Sequence, residues 1–393
     1  MLSKKIKNNN GITLVALVIT IIILLILATI SIQSLTNIGL FKKAQEAKEK
    51  TQNAEENQAK TLNEYEDELN KYISGDVKKP VKKVSDNIGS VLSTTDNTEL
   101  EDAYGNKIVV PAGFKIVSDS TTNNAQTVNQ GIVIEDATKT AEGTATSTSG
   151  SQFVWIPVGK IYTDVAKTDA NAKTIELGRY SFDSSTGAKN TYSGSWVEED
   201  KGDKNTILKN YGNTIAKNIT NFKNSVTTNG GYYIGRYEAR QKNGKLTVVK
   251  TDGVFNNITQ PNAAIQAQNM YNSSKFTSDL MNSYAWDTAT LFLQTCGEEK
   301  YSIKTSVNNS LASKGTNSSD YTGTRDTVCN VYDMASNVYE WTTETSDSSH
   351  GPCITRGGSY DDYGSSDFYT SNRYSYDTSI SRAFDGFRPL LFV

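Results

Sequence analysis

The chain of 393 residues carries 40 basic and 43 acidic side chains, a net charge of −3. At roughly 150 residues per domain it holds two or three folding units, and its near-neutral balance supplies no field for a nucleic acid, so no nucleic-acid partner is expected. Three Cys and one His exclude a disulfide scaffold, most zinc architectures and any mechanism that needs two histidines.

No charge lies between Lys7 and Lys42, and residues 12–32 are almost wholly apolar. As a helix this stretch spans about 31 Å, one hydrocarbon core. Lys4, Lys5 and Lys7 precede it, which predicts a cytoplasmic leader over 1–11, a transmembrane helix over 12–33, and the remainder outside. The expectation is a single-pass protein of a bacterial cell membrane, with the membrane itself as a partner and its C-terminal domain extracellular. The junction from Lys7 to Val15, with Gly11 ahead of the apolar run, resembles a type IV prepilin leader. That resemblance implies cleavage between Gly11 and Ile12 and pilin-like self-association. It departs at Ala16, where such pilins usually carry a glutamate, and a plain uncleaved anchor is the competing reading.

From Lys42 to Ile73 there is no Gly or Pro, and Leu62, Tyr65, Leu69 and Tyr72 alternate by three and four. This predicts a helical stalk within 34–75, supported by i, i+4 pairs such as Glu46 with Lys50. Ser74-Gly75-Asp76 stops it. A linker and small β module follow over 76–151, with β-branched strands at Lys107–Val110, Phe114–Val117 and Ile132–Glu135 and a low-complexity loop from Thr138 to Ser151. Phe153-Val154-Trp155-Ile156-Pro157-Val158-Gly159 and Gly231-Tyr232-Tyr233-Ile234-Gly235-Arg236-Tyr237-Glu238 read as buried strands. Ser283 to Thr295 reads as an amphipathic helix capped by Asn282 or Ser283, with Ala285, Ala289, Phe292 and Leu293 on one face.

Phosphate loops of the GxxxxGK type and HExxH are absent from the sequence, which removes nucleotide and zinc-peptidase chemistry. The sharpest signal lies in the last hundred residues. Val331-Tyr332-Asp333-Met334-Ala335-Ser336-Asn337-Val338-Tyr339-Glu340-Trp341, then Arg356-Gly357-Gly358-Ser359-Tyr360, then Gly386-Phe387-Arg388 resemble the formylglycine-generating enzyme family, also called the sulfatase-modifying factor family. The resemblance covers 152–393 and implies an irregular domain of the C-type-lectin kind. The expected fold class is therefore α+β: a long N-terminal transmembrane, pilin-like helix, a small β module, and a C-type-lectin-like domain.

The family's two catalytic cysteines align with Asp362 and Asp367. Neither supplies a thiolate, so no catalysis and no copper are expected. The family's calcium ligands carry over to Asp333, Ser336, Val338 and Glu340, a set that suits a hard cation; the alternative is that Glu340 pairs with Arg356 or Arg388. Between the scaffold blocks, Tyr360 to Tyr376 is dense in Tyr, Ser and Asp, the composition of adaptable recognition surfaces. It also resembles the variable segment of diversity-generating retroelement target proteins. Ligand contacts are expected at Tyr360, Asp361, Asp362, Tyr363, Asp367, Tyr369, Asn372, Tyr374 and Tyr376. Cys329 and Cys353 flank the Asp333 to Trp341 loop, and in an oxidising compartment a disulfide between them would close about 25 residues; buried free thiols are the alternative. The function expected is a membrane-anchored cell-surface protein that binds an extracellular protein or glycan without catalysis. The alternatives are an oxidoreductase of the formylglycine-generating type and a minor pilin.

Overall fold

The computed structural model describes residues 10–31, 40–74, 81–117, 127–198, 212–251, 253–305, 326–362 and 368–393. It divides into two units, Met1–Pro80 and Val81–Val393. The first unit contains two separate helices, α1 (Asn10–Ser31) and α2 (Leu40–Ser74). The second helix covers most of the stretch read as helical, whose period and freedom from Gly and Pro favour a helix.

Among the described residues, no helix is long and apolar enough to cross a membrane. This corrects the expected transmembrane anchor, and with it the single-pass membrane location and the prepilin-like reading. Gly11 and Ile12 lie in the first turn of α1. The fold class is corrected accordingly. In place of one long spanning helix followed by a module and a domain, there are two separate helices and then one unit of mostly small sheets.

The largest sheet of that unit has six strands: β1 (Phe114–Ile116), β2 (Val133–Asp136), β3 (Gln152–Pro157), β4 (Gly231–Gly235), β5 (Thr277–Leu280) and, at the end of the chain, Pro389–Phe392. Its order is β5, Pro389–Phe392, β4, β3, β2, β1, and every pair is antiparallel. Its central strands, β3, β4 and Pro389–Phe392, are apolar nearly throughout because both faces are covered, and alternation assigns each residue to a side. Val154, Ile156, Tyr232, Ile234 and Leu390 meet Phe222 and Val226 of α3 (Ile219–Asn229), together with Ala285, Trp286, Ala289 and Phe292 of a later helix. Phe153, Trp155, Tyr233 and Leu391 face the other way, against Val84, Leu100, Ile108 and Val110. Thus β1 and β2, from the stretch expected to form a small module, are strands of the same sheet as β3.

Helix α4 (Gln260–Gln268) contributes Ala263, Ala264 and Ala267 to a third cluster with Trp341, Cys353 and Phe387. Helix α5 (Ser283–Cys296) starts as expected, with the Asn282 side chain accepting from the Ala285 amide at 2.8 Å. A second sheet has four strands: β6 (Tyr339–Thr345), β7 (Cys353–Arg356), β8 (Arg373–Tyr376) and β9 (Asp385–Phe387), in the order β8-β7-β6-β9. The final strand, Pro389–Phe392, is β10. Only the β6–β9 pair is parallel within this sheet.

Candidate functional site

Register gives the second sheet two chemically different faces. Arg373, Arg356 and Glu340 are cross-strand neighbours, and Tyr374, Thr355 and Trp341 form the next row. Because side chains alternate, the first row faces a buried ionic network and the second an aromatic layer.

The ionic side is dense. Arg356 Nη2 donates to Asp287 Oδ1 at 2.6 Å, and its Nε donates to the Asn372 carbonyl at 2.8 Å. Arg373 Nε lies 3.0 Å from both Glu344 oxygens, Nη1 donates to the Tyr180 carbonyl at 3.0 Å, and Nη2 pairs with Asp287. Arg179 also pairs with Glu344, and the Tyr192 ring is held between the guanidiniums of Arg179 and Arg373, at 4.5 and 4.3 Å from its centroid. Burial, together with the Glu344 charge, pushes the neighbouring Glu198 up to about 8, against the pull of Arg179.

The opposite side carries the expected recognition residues. Gly357 has φ +81°, and a Cβ there would stand 2.5 Å from the Met334 carbonyl oxygen, so the double glycine lets this turn lie against the 333–337 loop. Tyr360 then donates its amide to the Asn337 carbonyl at 2.9 Å, opening the short 3-10 turn Tyr360–Asp362. Tyr360 packs edge-on to Phe384 at 6.2 Å. Tyr339 lies 6.0 Å from Phe384, 5.7 Å from Tyr374 and 6.4 Å from Phe368, and Arg382 covers both Tyr376 and Phe384 at 4.1 and 4.5 Å. Tyr360, Phe368, Tyr374, Tyr376 and Phe384 are all half-buried, around a buried Tyr339. Burial and a hydrogen bond to Asp362 hold the Tyr339 phenol well above its usual range, so it stays a donor.

Four expected residues therefore meet in one patch: Tyr360, Asp362, Tyr374 and Tyr376. Asn372 joins through its amide, which donates to the Tyr374 hydroxyl at 2.6 Å. Asp361 is exposed at the edge of the turn. Tyr369 is not brought into the ring cluster; its backbone bridges Thr305 instead. Tyr363 and Asp367 lie outside the described residues. Sequence reasoning missed Tyr339, Phe368, Phe384 and Arg382. Tyr339 was readable in principle, since it stands two residues before Trp341 on one strand and so shares its face.

Asp362, aligned with a family cysteine, is bound by its own turn: Oδ2 accepts from the Ser359 amide at 3.0 Å and hydroxyl at 2.9 Å. Of the expected calcium ligands, Glu340 already has a cationic partner. Both Glu340 oxygens are engaged by Arg388, whose Nε lies 3.1 and 3.0 Å away and whose Nη2 lies 2.5 Å away, so a guanidinium already fills the position of the positive charge. The Val338 amide donates to Glu238 at 3.0 Å, and the Ser336 amide to the Asp333 carbonyl at 3.3 Å. Among the described residues no group of three or more His, Cys, Asp or Glu is placed to hold a metal.

All three cysteines are free thiols, which corrects the expected Cys329–Cys353 disulfide. Cys353 is buried on β7 with Trp341 and Phe387, whereas Cys329 packs against the cluster of Trp286 and Phe292. The two belong to different parts of the core.

A scan against models of protein families finds no match, and no curated protein matches the chain. Neither the formylglycine-generating enzyme resemblance nor the prepilin resemblance is carried by such a match. Among solved structures, Treponema denticola variable protein 1 is similar at 16% identity over 42% of this chain and 85% of that one, with a TM-score of 0.28. A likeness at that level fixes neither fold nor function.

Proposed function

We propose that this chain is a non-catalytic binding protein whose recognition surface is the aromatic patch of Tyr360, Phe368, Tyr374, Tyr376 and Phe384. The observation that carries the reading is the pairing of half-buried rings with a rigid ionic underside. Arg356 and Arg373 lock the backbone around Asn372 to Tyr376, while the intervening tyrosines remain partly open to a ligand. Rings fixed in this way bind at little entropic cost. The ligand class is a protein or a glycan, both of which stack on Tyr faces and hydrogen-bond to Tyr hydroxyls and Asp carboxylates. In the same reading the segment 360–376 is the diversified part of the protein, and copies of its coding sequence from sister isolates differ at Tyr360, Tyr374 and Tyr376 while keeping Arg356 and Arg373.

The test is a screen of the labelled full chain on glycan and peptide arrays, followed by titration of each hit with the Tyr360→Ala/Tyr374→Ala variant. Two central ring truncations at about 1 to 2 kcal/mol each predict binding weaker by about 30-fold or more. A folded double variant that binds every hit as tightly as the parent refutes the site.

A further inference from the structure

We propose that Cys296 and Cys329 form an oxidisable dithiol, which a small-molecule disulfide such as glutathione disulfide converts into a Cys296–Cys329 bond. Cys296 is the last residue of α5, and Cys329 lies in the turn between the short strands Thr327–Val328 and Val331–Tyr332. Both are partly exposed, and both line one open cleft of about 650 Å³, together with Asn129, Gln130 and Gly297.

The chain holds the two thiols at this cleft by close backbone approach. A Cβ on Gly297 would stand 2.1 Å from a Val328 methyl and 3.0 Å from the Cys329 sulfur. On the other side, a Cβ on Gly131 would stand 1.9 Å from the Cys329 carbonyl oxygen. The Cys329 turn is thus pressed between the end of α5 and Gly131, with its thiol donating to the Asn129 carbonyl at 3.5 Å. Cys353 is excluded from this chemistry because it is fully buried in another cluster.

The order of the chemistry follows from the surroundings. Burial pushes Cys296 up to about 11, opposed by the Lys173 charge, and pushes Cys329 up to about 12, with Cys296 adding to the shift. The Lys173 charge favours the Cys296 thiolate, whereas no cation opposes the upward shift of Cys329, so Cys296 attacks first. Its thiolate displaces one glutathione from the disulfide, giving a mixed disulfide. The Cys329 thiolate then attacks the Cys296 sulfur and expels the second glutathione. Two protein thiols lose two electrons and two protons, and one glutathione disulfide becomes two glutathione thiols.

The experiment incubates the full chain with glutathione disulfide, quenches with N-ethylmaleimide and digests without reduction. Trypsin alone leaves Cys329 and Cys353 on one peptide, residues 326–356, so a second protease that cuts after Glu340 and Glu344 is added. The expected product is a linked pair of peptides carrying Cys296 and Cys329, lighter by two hydrogen atoms than the reduced pair. It is lost in Cys296→Ser and kept in Cys353→Ser. A Cys329–Cys353 link, a mixed glutathione disulfide that never resolves, or recovery of both cleft thiols unoxidised overturns the proposal.

Discussion

Replacing Arg373 by Ala tests whether the ionic network holds β8 in place. The side chain is 8% exposed, and its partners Asp287 and Glu344 are fully buried. Removing one member of a buried ion pair typically costs about 3 to 5 kcal/mol, because the partner stays behind as an uncompensated charge. Here each carboxylate keeps another guanidinium: Asp287 retains Arg356 at 2.6 Å, and Glu344 retains Arg179 and, at 3.7 Å, Arg356. The Tyr180 carbonyl loses its 3.0 Å donor as well. The loss is therefore set at the lower end, about 3 kcal/mol. Urea unfolding of the full chain, followed by the fluorescence of the buried Trp155, Trp286 and Trp341, measures it, with Ser375→Ala, an exposed position on the same strand, as a control within about 0.5 kcal/mol of the parent. If Arg373→Ala costs less than about 1 kcal/mol, the network does not fix the strand.

Glu198 titrates at about 8 in the folded chain against an ordinary 4.5. A folded value above the unfolded one gives stability that is complete below about pH 4.5 and lost as pH rises through about 8, so Glu198→Gln raises the urea midpoint relative to the parent at about pH 9 and not at about pH 4; an equal difference at both values contradicts this. Millimolar calcium leaves the melting temperature within about 1 °C, because Arg388 occupies Glu340, and a rise above about 3 °C restores the calcium assignment. Native Cys353, fully buried and pushed up by burial to about 12, resists iodoacetamide until urea is added, whereas Cys296 reacts natively at a rate rising about tenfold per pH unit below its value near 11; rapid native labelling of Cys353 argues against its burial.

Local signals were the legible ones. The strand Lys107–Val110, the aromatic strand Gly231–Gly235 and the Asn282 cap of α5 all follow from patterns within a dozen residues. Pairings across long distances were not legible. The Glu340–Arg388 pair joins residues 48 apart, and nothing in the loop around Asp333 distinguishes a carboxylate destined for a cation from one destined for a guanidinium. The cysteines show the same limit: chain proximity favoured Cys329 with Cys353, but α5 carries Cys296 to the Cys329 turn instead. At the N-terminus an uncharged run predicted a membrane span, whereas among the described residues no helix is long and apolar enough to cross a membrane. At the recognition patch, composition pointed to the right segment. It missed the half supplied by β6 and the Arg382–Phe384 turn, because those residues lie outside the Tyr-rich run.

The alternation along β8 has a consequence for how the protein tolerates change. Arg373 is bound to the buried carboxylates of Asp287 and Glu344, whereas Tyr374 and Tyr376 contribute rings to the aromatic layer and Tyr374 takes a hydrogen bond from Asn372. Structural obligation and surface chemistry therefore occupy alternate positions of a single strand. A substitution at one of the tyrosines changes what the surface presents without breaking an ion pair. The strand behaves as a row of fixed posts with exchangeable heads, and its outward residues can be rewritten one at a time while the fold beneath them keeps its charge balance.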